Sequence, residues 1–145
     1  MFQLDTNHPG ATLLWQHRGK VLSNTSTALI QGSNVFSGLT SGDLVCLDAR
    51  TGKQRWSTNS ITNPGNGSSI HLVPTSKGMF LYTDKGELIS VRLSSEGCEE
   101  LSRVRLVEPV YSFGGKKVAW VPPAFSNGCL FVRTDDQLAC FSFRE

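Results

Sequence analysis

One hairpin pattern recurs three times along this chain, and no other feature restricts its fold as strongly. The first copy runs through Thr27–Phe36 and Ser37–Leu47, the second through His71–Phe80 and Leu81–Val91, the third through Pro122–Phe131 and Val132–Phe141. Each copy opens with a short apolar stretch and a polar turn: Gly32-Ser33-Asn34, Ser76-Lys77-Gly78 or Ser126-Asn127-Gly128. A second apolar stretch follows, then a second turn carrying Ser-Gly-Asp, Lys-Gly-Glu or Asp-Asp-Gln, then a third stretch. Glycine and asparagine supply the positive φ that tight hairpins need. Connections this short force neighbouring strands to run antiparallel.

Leu44, Leu88 and Leu138 occupy the same place in the three copies, so the repeat is 44 and then 50 residues long. That period suits four-stranded blades of a β-propeller and is too long for leucine-rich or helix-pair repeats. The fourth strand is expected at Gln54–Thr58 in the first copy and near Glu100–Leu106 in the second; the third copy ends after its third strand. An isolated strand, Thr12–His17, precedes the first copy, and its Trp15 resembles Trp56 in the fourth strand. The predicted fold class is therefore all-β: a partial propeller of about three four-stranded antiparallel blades. Residues 1–11 read as a tail, 12–17 as an outer strand, and 27–58, 70–106 and 119–143 as blades. In a closed ring, such an N-terminal strand completes the last blade. Three blades are few for a ring, since four or more are usual. The sequence thus reads as a C-terminal piece of a longer chain, or as a unit whose copies associate to complete a ring.

At 145 residues, with 39% hydrophobic and 18% charged residues, the chain can build a real core. The net charge is +2 and the longest basic run is Lys116-Lys117, which argues against nucleic-acid binding. No stretch approaches the roughly 20 apolar residues of a membrane-spanning helix, and no signal peptide is visible at the start. Cys46, Cys98, Cys129 and Cys140 form no Cys-x-x-Cys pair, and His8, His17 and His71 are scattered, so no metal site is predicted. Cys46 and Cys140 lie in apolar runs and are expected in the core. A disulfide involving Cys98 or Cys129 cannot be read from sequence.

Several other residues are candidate sites by type and position. Asp84, Asp135 and Asp136 fall at turns and are expected to be solvated. Arg103 and Arg105 alternate on a strand and read as a solvated face, with an anion patch as the other reading. Trp15 and Trp56 are expected to dock blades, whereas Trp120, before Pro122-Pro123, has no clear assignment. The loop Asn59–Ser69 reads as long and flexible, and weak as a binding site because it has no aromatic or charged residue. No catalytic motif is present.

The segment Gly42–Trp56, with Gly42, Leu44, Leu47, Asp48, Thr51, Gly52 and Trp56 in place, resembles the repeat of the pyrroloquinoline-quinone-like (PQQ-like) propellers. That repeat reads Gly-x-Leu-x-Ala-Leu-Asp-x-x-Thr-Gly-Lys-x-x-Trp, and Cys46 replaces its alanine. The second copy keeps Gly86 and Leu88 but lacks the aspartate and tryptophan; the third keeps Leu138. The resemblance implies blades docked by tryptophans. The family includes quinone-dependent dehydrogenases, a scaffold subunit of the bacterial outer-membrane β-barrel assembly machinery, and sensor domains of receptor kinases. The dehydrogenases' vicinal cysteines and calcium ligands have no counterpart in this sequence. The expected function is a non-catalytic binding or scaffold module without cofactor, meeting a protein or cell-envelope partner. Family habit places it in the periplasm or at the cell surface. The alternatives are a fragment of a quinoprotein dehydrogenase and a kinase-linked sensor domain.

Overall fold

The computed structural model describes residues 1–17, 25–65, 67–76 and 78–143, and no helix occurs among them. The N-terminus forms a two-stranded hairpin, β1 (Phe2–Leu4) against β2 (Ala11–Leu13). Three sheets follow in chain order. The first comprises β3 (Leu29–Gln31), β4 (Asn34–Gly38), β5 (Leu44–Asp48) and β6 (Gln54–Thr58). The second comprises β7 (Ile70–Thr75), β8 (Gly78–Thr83), β9 (Glu87–Leu93) and β10 (Cys98–Arg105). A second hairpin, β11 (Tyr111–Phe113) with β12 (Lys116–Val118), precedes the third sheet. That sheet holds β13 (Ala124–Ser126), β14 (Cys129–Arg133) and β15 (Leu138–Ser142). Each sheet is an antiparallel meander in sequence order, and the three are successive blades of a partial β-propeller.

The first two sheets share a fine detail. Their fourth strands carry a β-bulge at the same register: Arg55 is the extra residue opposite Cys46 and Leu47, and Leu101 the extra residue opposite Ser90 and Val91. A bulge adds local twist to the outer strand. It also puts Ser102, paired with Ser90, where Trp56 stands, paired with Cys46. The N-terminus differs from expectation. The strand forecast at 12–17 covers only Ala11–Leu13, and it pairs with residues 2–4 rather than with the last sheet.

Two cores lie between sheets. The first sheet meets the second through Leu44, Ile61, Ile70, Leu81, Ile89 and Val91, with Trp56, Leu72 and Met79 at its edge. The second meets the third through Tyr82, Leu88, Val107, Leu130 and Val132. Leu81 and Tyr82 are consecutive and both fully buried, so the middle sheet has two apolar faces. Each fully buried side chain of this size contributes about 1.5–3 kcal/mol. Phenylalanines extend the second core, with Phe80 and Phe125 stacked at 5.9 Å between centroids and Phe143 tilted against Phe125 at 5.7 Å.

The repeated leucines follow one rule. Leu44 points to the second sheet and Leu88 to the third. Leu138 lies on the face of the third sheet turned away from the other two, and is 74% exposed. Cys140 sits on that same outward face and is exposed, not in the core as its apolar run suggested. Its neighbours Ala139 and Phe141 take the inward positions, so period-two alternation turns the cysteine out. Cys46 is fully buried.

Candidate binding face

The connections between sheets, residues 59–69 and 106–123, lie at the same end of the sheets as the turns between second and third strands. Backbone hydrogen bonds knit them together. Gly65 N donates to Ser41 O (2.9 Å) and Ser68 N to Thr40 O (3.2 Å). Leu106 N donates to Gly86 O (2.9 Å) and Ala119 N to Asp84 O (2.7 Å). The loop 59–69, read from sequence as flexible, is thereby tied down, with Ile61, Thr62, Ser68 and Ser69 buried.

Asp84 is the centre of this end. Turn chemistry predicts a solvated residue here, yet Asp84 is 2% exposed. Its Oδ1 accepts from Thr62 Oγ1 (2.9 Å) and Ser69 N (3.3 Å). Its Oδ2 faces Lys116 Nζ at 3.5 Å, and that ammonium also donates to Ser68 Oγ (2.9 Å). A buried carboxylate is tolerable only with partners of this kind. Lys116, on β12, therefore clamps the second hairpin onto the loop 59–69. Trp120 completes the clamp. Its Nε1 donates to Gly67 O (2.7 Å), and its ring meets Phe113 edge-on at 4.7 Å.

Behind Trp120, His71 Nε2 donates to the Trp120 carbonyl (2.9 Å), and the imidazole stacks on Tyr82. Burial pushes the His71 pKa below its ordinary 6.5, while the bond to Trp120 opposes that shift. As pH falls below about 6.5, the unfolded chain takes up a proton that the folded chain resists. Stability is then expected to decline with acidification from about pH 6.5 down to the folded-state pKa and to level off below it. Urea midpoints for the parent and for His71→Gln check this: the variant should lack the His71 contribution to the slope in that window.

The clamp shapes a cleft of about 270 Å³ beside the third sheet. Val118 and Ala119 form an apolar floor, Tyr111 and Trp120 form aromatic walls, and Arg133 and Asp135 stand at the rim. Its side chains suit the anchoring of an apolar or aromatic group with a charged neighbour. Asp135 lines this cleft, and Asp136 accepts from Thr134 Oγ1 at 2.6 Å. Arg103 and Arg105 do not form an open anion patch. Both pair with Glu87, Arg103 at 2.7 Å and Arg105 at 3.4 Å. Arg103 also bonds Glu100 (2.7 Å) and the Ile61 carbonyl (3.0 Å). Arg105 also pairs with Glu108 (3.2 Å), and Arg103, through Ile61, braces β10 against the loop.

At the opposite end, the tryptophans reach from one unit to the next. Trp56 Nε1 donates to Ser94 O of the second sheet (3.0 Å), and Trp15 Nε1 to Ala49 O of the first (2.8 Å). The receiving turns are built alike. Asp48 Oδ1 accepts from the backbone N–H groups of Arg50 (3.0 Å) and Thr51 (2.8 Å) and from Thr51 Oγ1 (2.9 Å). The Thr51 bonds hold the Asp48 carboxyl below its usual range, with Arg55 adding to the effect. Gly52, at φ 73°, lies so close under Trp15 that a Cβ there would come within 2.7 Å of the indole. In the second sheet, Ser94 Oγ accepts from Glu96 N (3.1 Å) and Gly97 N (3.2 Å), reproducing the Asp48 turn with a hydroxyl. Sequence reading missed Ser94, along with Lys116, Tyr111 and Arg133. The Gly114-Gly115 pair was the available signal for the second hairpin.

The turn that receives Trp15 lies within residues 6–81, which match the family model described as outer membrane protein assembly factor BamB. The chain belongs to the BamB family. The matched segment takes in Trp15, the whole first sheet, β7 and most of β8; the second hairpin and the cleft lie beyond it. Among solved structures, BamB from Moraxella catarrhalis aligns at 17% identity with a TM-score of 0.46. The alignment covers 94% of this chain and 54% of that one, so this BamB-family chain spans about half the length of that protein. No curated protein matches the chain.

Proposed function

We propose that this chain is a non-catalytic protein-interaction module of the cell envelope, working in the periplasm or at the cell surface. Its partner is held at the face built by residues 59–69 and 106–123. The observation that carries this reading is the cleft of Tyr111, Trp120, Arg133 and Asp135, whose Trp120 is anchored by its hydrogen bond to Gly67 O. A preorganised aromatic pocket with a charged rim is the arrangement that anchors protein partners at low entropic cost. Membership of a family described as an outer membrane protein assembly factor supports an envelope role. The same reading has the three sheets work within a larger ring, completed by further blades or by association with other copies.

The test compares binding of envelope proteins by the parent chain and by a Tyr111→Ala, Arg133→Glu variant. Tyr111 is 48% exposed, so its truncation should leave the fold intact. Loss of an aromatic anchor and reversal of a rim charge should weaken binding by about tenfold or more. Arg92→Glu, at the far end of β9, should leave it unchanged. Equal binding by parent and cleft variant would move the contact elsewhere. Dye reduction with an alcohol, PQQ and calcium should remain at background; turnover would replace the reading with a dehydrogenase one.

A further inference from the structure

The N-terminal hairpin repeats the third and fourth strands of a blade. Met1-Phe2-Gln3-Leu4-Asp5 stands where the first sheet has Leu44-Val45-Cys46-Leu47-Asp48. Asp5 closes its turn as Asp48 does. Its Oδ1 accepts from Asn7 N (2.8 Å) and His8 N (3.3 Å). Its own N–H donates to Gly10 O (3.0 Å), as that of Asp48 does to Lys53 O (2.8 Å). The hairpin and the three sheets are thus four successive layers of one stack.

One contact rule joins these layers. Met1 packs with Val45 and Leu47 of the first sheet. Leu44 shares a core with Ile89 and Val91 of the second sheet, and Leu88 with Ala139 and Phe141 of the third. At each joint the first position of one third strand meets the second and fourth positions of the next. The two ends of the stack carry the unmatched halves of that joint. Leu138, the first position of the last layer, is 74% exposed, and Phe131 lies exposed on the same face. Leu4, the fourth position of the hairpin, is 73% exposed, and the second position, Phe2, is exposed beside its cross-strand partner Leu13. Large apolar side chains gathered on two end faces mark an interaction surface.

We propose that a second copy of this chain docks head-to-tail, the Leu138 face of one copy on the Phe2, Leu4 and Leu13 face of the other, and that two such joints close a ring of two copies. The inference rests on the larger-ring reading above and names its occupant. The contact continues the three joints within the chain, with the same strand positions on both sides. Four layers from each copy give eight, inside the range of about four to eight blades that closed propellers use. The joint is heterologous, so it closes a ring if the rotation per layer returns the second copy to the first, and otherwise builds an open filament.

The experiment is sedimentation of the chain over a range of concentrations, with variants at the two end faces. The expected result is one species of twice the chain mass. Leu138→Glu and Leu4→Lys each alter both joints of the ring, so a loss of about tenfold per joint becomes about a hundredfold in dimerisation. Both side chains are largely exposed, and circular dichroism confirms that the variants fold. The double variant faces opposite charges across each joint and should recover about tenfold or more over either single one. Leu101→Lys, at the exposed bulge of β10, should change nothing. A monomer at every concentration overturns the proposal, and so does an open-ended series of polymers. Loss of the dimer with Leu138→Glu but not with Leu4→Lys also overturns it, because the third sheet would then pair with its own copy. A monomer that still binds an envelope protein through the cleft would leave the interaction role standing without this joint, whereas a dimer that binds none would keep the joint and remove that role.

Discussion

Replacing Gly86 with alanine is expected to cost about 2–4 kcal/mol of stability, left-handed strain and overpacking less the entropy that the unfolded chain gives up. Gly86 has φ 72°, a region that costs L-residues about 1–2 kcal/mol. A Cβ there would also stand 2.2 Å from the Val107 carbonyl oxygen and 2.9 Å from its side chain. The obstruction is backbone, so the connection 106–123 must shift and part of the second core with it, adding roughly 1–3 kcal/mol. Reduced freedom of the unfolded chain returns only about 0.4–1 kcal/mol. Two controls separate the terms. Gly32 has a similar φ of 57° with nothing near its missing Cβ, so Gly32→Ala should show the conformational cost alone, about 1 kcal/mol. Gly97 has open space and no left-handed φ, so Gly97→Ala should be neutral or slightly stabilising. Denaturant unfolding of the three variants gives the ranking, and a Gly86 variant no worse than Gly32→Ala would show that the close approach to Val107 is relaxed at no cost.

Asp84→Ala is expected to destabilise by about 3 kcal/mol, within the range for breaking a buried pair from one side. It removes the acceptor of Thr62 and Ser69 and strips Lys116 of its counter-charge. Lys116 keeps 28% side-chain exposure, so its ammonium can still reach water, which holds the loss below that of a fully sealed pair. Asp84→Asn keeps an acceptor of the same shape and should lose only about 1–2 kcal/mol. The effect has a location as well as a size. Hydrogen exchange at the Ser69 amide, which loses its carboxylate acceptor, should accelerate more than at the amides of the first sheet. A uniform change across the chain would mean that Asp84 acts on global stability and not as the clamp of this end.

The architecture was readable from residue order to a large degree. Leu44, Leu88 and Leu138 recur with polar turns at fixed offsets, and each hairpin lies where its turn residues put it. The motif Asp48-x-x-Thr51-Gly52 forms the turn its residue types favour. The binding end was far less legible. Asp84 and Asp135 occupy similar turns in the sequence, and turn preference treats them alike. One is buried by a loop and a lysine 32 residues away; the other lines an open cleft. Arg103 and Arg105 showed their shared face by spacing, but not the Glu87 carboxylate that they share or the Glu100 and Glu108 partners that complete their pairing.

The cysteines mark the same boundary. Cys46 and Cys140 sit in almost identical apolar runs, yet one is sealed and the other exposed. Local sequence by itself determined the strands of the three repeats, their antiparallel pairing, the turn chemistry and the two-faced alternation, because these follow from contacts within a few residues; the two flanking hairpins were not among them. Only the tertiary structure decided which face is covered and which charge is paired. Burial is a property of what packs against a residue, and here those partners come from other repeats.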